Sequence, residues 1–129
     1  MPIKTSWYDD QHRVVLQKFT GDWTWEELGQ ALKAMQSLPD PADGDWVVLN
    51  DMSETRIMPR GNVLMQGKMV FKQSPQNVSN IVFVLDSQMI KTFVRVVFDL
   101  MPSWRDRLQI AKTLEEGQRL VEKSIVKLA

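Results

Sequence analysis

Three features of the chain predict an α/β fold built on a mostly parallel sheet. Two apolar runs, Trp46-Val47-Val48-Leu49 and Asn80-Ile81-Val82-Phe83-Val84-Leu85, show no alternation, the pattern of strands covered on both faces. Capped segments with helical spacing lie between and after them. A short hairpin pattern precedes them all. The expected order is β-β-α-β-α-β-α-β-α, a mixed and mostly parallel sheet with an antiparallel first strand at one edge, covered by helices. At 129 residues the chain reads as a single domain, 1–129.

Trp7-Tyr8 and Arg13 to Thr20 read as the first two strands, joined by the turn Asp9-Asp10-Gln11-His12. Val14, Leu16 and Lys18 alternate with Val15, Gln17 and Phe19, so both faces are mixed, and Gly21 ends the strand. Thr24-Trp25-Glu26-Glu27 is a capping box: the hydroxyl accepts from the amide at 27 and the Glu27 carboxylate accepts from the amide at 24. Trp25, Leu28, Ala31, Leu32 and Met35 then form one helical stripe.

Trp46 to Leu49 is the third strand. Gly61 to Gln73 reads as a helix with Val63, Leu64, Gly67, Val70 and Phe71 as its core stripe. Asn80 to Leu85 is the fourth strand, and Asp86-Ser87 caps a helix from Gln88 to Met101 that Pro102 stops. Leu108 to Ala111 is a last, short strand. Thr113-Leu114-Glu115-Glu116 is a second capping box, opening a helix with Leu114, Gly117, Val121, Ile125 and Leu128 on one side.

Sixteen basic and sixteen acidic residues give no formal net charge, which argues against a general nucleic-acid binder. Arg105, Arg107 and Lys112 are basic, but Asp106, Glu115 and Glu116 interleave with them. The absence of cysteine removes disulfides, thiolate metal sites and a cysteine nucleophile. No secretory leader pattern opens the chain and no run approaches the length of a membrane span, so a cytoplasmic location is expected. Asp9, Asp10 and His12 read as an ordinary turn rather than a metal site. With one histidine and no convergent nucleophile set, no catalytic residue, cofactor or metal is expected.

Three stretches carry a family resemblance: Phe19-Thr20-Gly21 with the helix opened at Thr24, Val48-Leu49-Asn50-Asp51-Met52-Ser53, and Ile110-Ala111-Lys112-Thr113-Leu114-Glu115-Glu116. With this element order they resemble the STAS domain family, the fold of bacterial anti-sigma factor antagonists, and most closely its SpoIIAA-like branch of small bacterial proteins. The resemblance implies a regulatory domain acting by protein association. In phosphorylatable members a D-S-S-G-type turn opens the helix after the third strand. The matching turn here is Met58-Pro59-Arg60-Gly61, and neither Pro59 nor Arg60 accepts a phosphoryl group.

Asp51 and Ser53 match the family's strand-end D-x-S. Ser53 and Thr55 read either as turn-capping hydroxyls or as phosphoacceptors. Arg56 and Arg60 flank the loop near a helix amino end, so Asp51, Ser53, Arg56 and Arg60 form a candidate anion or ligand loop.

The helix from Gln88 to Met101 has an apolar arc of roughly 200°, where packing on a sheet needs about 100°. Neighbouring helices, a second copy of the chain or an apolar ligand would cover the excess. Met65 and Met69 lie away from the core stripe of the preceding helix, and Trp104 follows Pro102 in a position expected to be exposed. Met65, Met69, Phe98, Met101 and Trp104 are therefore the candidate interaction surface. The expected function is non-enzymatic association with another protein or with itself as a homodimer. The alternative is a carrier or sensor of a small apolar or amphipathic ligand, held between the wide-faced helix and the sheet.

Overall fold

The computed structural model describes residues 2–9, 13–38, 45–55, 61, 63–72 and 78–128, without the side chains of 36, 37, 63, 64, 70, 71, 127 and 128. The elements are β1 (Ile3–Trp7), β2 (Val14–Phe19), α1 (Trp25–Ser37), β3 (Trp46–Asp51), α2 (Val63–Lys72), β4 (Val78–Val84), α3 (Gln88–Asp99), α4 (Pro102–Arg105), β5 (Leu108–Ala111) and α5 (Leu114–Leu128). They form one five-stranded sheet in the order β1-β2-β3-β4-β5. The β1–β2 pair is antiparallel and every other pair is parallel. The expected α/β class, order and antiparallel edge strand are all present.

Several details differ from expectation: β3 runs on to Asp51, β4 spans Val78–Val84, α2 starts at Val63 and α3 ends at Asp99. The first strand starts at Ile3, because Ile3, Thr5 and Trp7 already alternate with exposed Lys4 and Ser6. Beyond the stop at Pro102 the chain makes one more turn, α4, with Pro102 at its start, where a missing N–H costs nothing.

Strands β2 to β5 add in one direction. Successive crossovers of one hand then put their helices on one face. Accordingly α1 and α3, bridged by α2, lie over the face that carries Val15, Phe19, Trp46, Val48, Ile81 and Phe83. Helix α5 alone lies over the other face, on Val47, Leu49, Val82, Val84 and Ala111. It packs there because Gly117 faces the sheet: a Cβ at 117 would stand 2.5 Å from Val84 Cγ2.

The capping chemistry forms as the sequence predicts. Thr24 Oγ1 accepts from the Glu27 amide at 3.1 Å and Glu27 Oε1 accepts from the Thr24 amide at 3.0 Å. Ser87 Oγ accepts from Ile90. The second box is modified: Thr113 Oγ1 accepts from the Glu116 amide, but Glu116 Oε2 accepts from Lys112 rather than Thr113. Asp9 Oδ1 accepts from the amides of Arg13 and Val14, each at 3.0 Å, so it closes the hairpin turn. Asp10 and His12 lie outside the described residues.

Leu114, expected on one side of the helix with Gly117 and Val121, is 40% exposed where those two are buried. Of the expected α2 stripe, Gly67 is buried against Val97 and Phe93 of α3; the side chains of Val63, Leu64, Val70 and Phe71 lie outside the described residues.

Candidate functional site

A pocket lies at the carboxyl ends of β2 and β3, roofed by the three helices. Gln17 and Phe19 of β2, Asn50 of β3 and Phe83 of β4 form its floor. Trp23, just before α1, with Trp25, Leu28 and Leu32 of α1 and Phe93, Val94 and Val97 of α3 form the walls. Gly67 brings α2 over the top, and the main contacts of α2 are with α1 and α3. The space is about 30 Å³. That is room for a water-sized guest, well short of the roughly 150 Å³ that holds a benzene.

The walls are aromatic and mutually ordered. Phe19 and Trp23 meet edge to face at 5.3 Å between centroids, and Trp23 meets Trp25 in the same way at 5.5 Å. Trp23 Nε1 donates to Thr55 Oγ1 at 3.4 Å. Trp25 Nε1 is buried and, like Trp46 Nε1, has no acceptor among the described residues. Such a donor costs about 1–3 kcal/mol while it stays unpaired.

Two amides complete the lining. Gln17 is buried and its Nε2 donates to the Ala31 carbonyl at 3.2 Å. Asn50 is buried too. An indole N–H and two amides thus border an otherwise apolar space. None of the described lining residues carries a titratable group. Among the described residues no group of three histidine, aspartate or glutamate side chains could hold a metal ion.

The described part of the loop after β3 is held by its own hydrogen bonds. Asp51 Oδ1 accepts from the Ser53 amide at 3.1 Å and from the Ser53 hydroxyl at 2.7 Å, an Asx turn in which the two residues satisfy each other. The Met52 amide donates to the Val84 carbonyl and the Thr55 amide to the Met52 carbonyl. Thr55 is buried beneath Trp23. Arg56 and Arg60 lie outside the described residues.

The candidate interaction surface is corrected at three of its five positions. Phe98, Met101 and Trp104 are all buried, Trp104 to 3% exposure. Phe98 packs edge to face on Phe83, and the guanidinium of Arg107 covers Trp104 at 4.6 Å. Their burial follows from topology, because α3 lies directly on β4 and α4 folds Trp104 back beneath it. Met65 and Met69 are exposed, at 58% and 54%. They stand about 160° round α2 from Gly67, the residue that faces α3, so they do not join the apolar face of α3. That face does leave a flank uncovered, where Met89, Val96 and Leu100 are exposed within about 40° of arc.

Gln17, Trp25 and Asn50 carry the pocket and were not singled out by the sequence. Part of their signal is there: Gln17 is polar within a strand pattern, and Asn50 directly follows the apolar run of the third strand. Comparison of the chain with protein-family models, with curated proteins and with solved structures returns no match.

Proposed function

We propose that this chain is a STAS-like, SpoIIAA-like domain that works by binding rather than catalysis, and that it takes a small neutral ligand into the pocket beneath α1, α2 and α3. The family reading is supported by the element order, the antiparallel edge strand and the Asp51–Ser53 turn at the end of β3. One observation carries the ligand reading. Trp25 Nε1 is a buried donor without an acceptor among the described residues, on a pocket that two buried amides also border. Apolar walls with a few convergent polar groups are the usual make-up of a small-molecule site. The described lining residues carry no charge, which favours a neutral molecule bearing a hydrogen-bond acceptor, such as a carbonyl. Anything larger than a water-sized guest displaces α2, the helix whose main contacts are with other helices.

Native mass spectrometry of the protein as purified, with thermal shifts over a panel of small aromatic and aliphatic carbonyl compounds, tests this. A bound small molecule, or a rise in melting temperature that Trp25→Phe weakens about tenfold in affinity, is expected from one lost hydrogen bond. A bare mass with no shift across the panel at millimolar concentration overturns the reading.

A second reading, association with a protein partner or a second copy, is supported by the uncovered apolar side chains of Met89, Val96 and Leu100 on α3 and of Met65 and Met69 on α2. Substituting Val96→Lys and Leu100→Lys together would break an assembly through α3, and an unchanged mass in solution would remove that surface.

A further inference from the structure

Among the described residues the sheet has two free edges, β1 and β5, and they are defended unequally. On β1, Lys4 is exposed and lies in register with exposed Lys18 of β2. Lysines of this kind discourage a further strand. The sequence of β5, Leu108-Gln109-Ile110-Ala111, holds no charge, no proline and no glycine.

The hydrogen bonds fix which groups of β5 face outward. Ile81 donates to the Arg107 carbonyl and Leu85 to the Ala111 carbonyl, with Ile81 in register with Leu108 and Phe83 with Ile110. In a parallel ladder this pattern spends the backbone of 107, 109 and 111 on β4. The N–H and C=O groups of Leu108 and Ile110 therefore point away from the sheet. Their side chains are half-buried on the face that α3 covers. With Arg95 and Asp99 of α3 and Arg105 of α4 they line an open concavity of about 170 Å³ along the edge.

From this geometry we infer that β5 is the pairing edge for a second copy of the chain, joined antiparallel across a two-fold axis at Gln109. The inference rests on the association reading and is independent of the pocket. That axis sets Leu108 of each copy opposite Ile110 of the other. Four backbone hydrogen bonds then close between groups that β4 leaves unused, and the half-buried Leu108 and Ile110 side chains cover one another. The occupant follows from charge. An acidic or basic peptide would meet a rim of mixed sign, whereas a second copy brings its own. A guanidinium of one copy can meet Asp99 of the other, and Arg95, Asp99 and Arg105 form no ion pair among the described residues. A chain with no net charge also meets no general repulsion from its twin.

Sedimentation of the full chain from micromolar to millimolar concentration provides the test. The expected result is a monomer–dimer equilibrium that Ile110→Pro abolishes. That variant removes an outward N–H and no bond to β4, so an unchanged far-UV spectrum and melting temperature accompany the loss. Asp99→Arg leaves the rim wholly positive at a helix carboxyl end that tolerates a cation, and it too should give a monomer. Adding Arg105→Asp to it should restore the dimer. A dimer indifferent to Ile110→Pro and Asp99→Arg but lost with Val96→Lys and Leu100→Lys overturns the β5 pairing and leaves the association reading standing. A monomer at every concentration overturns both.

Discussion

The two faces of the sheet are covered by different chemistry. Beneath α5 the side chains are Val14, Val47, Leu49, Val82, Val84, Ala111 and Val121, all buried without residue. The helix approaches so closely at Gly117 that even a methyl group has no place. Beneath α1, α2 and α3 the side chains are larger and less regular. Trp23, Trp46, Phe19, Phe83, Phe98, Met35 and Met101 lie there with the amides of Gln17 and Asn50. Small branched side chains interlock under one helix. Rings and amides gathered under three helices leave a space and an unpaired indole N–H at Trp25. One face is built to hold the fold together and the other to keep a pocket.

Substitutions can break or sharpen that contrast. The largest effect is expected from Leu49→Ala, a fully buried residue on the close-packed face that offers nothing to collapse into the cavity. Urea unfolding should show a loss of about 3–4 kcal/mol. Gly117→Ala comes next. The Val84 side chain that it meets is branched at Cβ and stiff, so about 2 kcal/mol should be lost by the same measurement, despite the better helix former. On the pocket face Asn50→Leu should cost less. Exchanging a buried pocket amide for an apolar side chain of similar size should change stability by under about 1 kcal/mol without ligand and remove the thermal shift with it. The smallest effect is expected from Gly67→Ala. Its Cβ would stand 3.2 Å from Val97 Cγ2 beside open space, and the small crowding should nearly cancel the helix-propensity gain of about 1 kcal/mol. Equal losses at Gly67 and Gly117 would erase the distinction between the faces.

Much of the fold was legible because its signals are local. Thr24 with Glu27, Ser87 and Thr113 mark helix starts within four residues of sequence, and the runs at Trp46 and Ile81 show burial on both faces without reference to anything distant. The site was less legible. The apolar arc of α3 pointed to a surface, yet Phe98 and Met101 spend it on β4 and on the chain's own core. Trp104 looked exposed between Pro102 and Arg105 until α4 turned it inward beneath Arg107. Ser53 was legible as a turn-capping hydroxyl, and Asp51 is the partner that it caps.

The sequence by itself determined the elements, their order and the antiparallel edge, because capping, periodicity and turn chemistry act between residues that are neighbours in the chain. Only the tertiary structure decided which surfaces remain. Three crossovers of one hand stack α1, α2 and α3 on one face, and this brings Gln17, Trp25 and Asn50 around one space and leaves the backbone of Leu108 and Ile110 at an open edge. Those meetings depend on contacts between residues far apart in sequence, which no local pattern encodes.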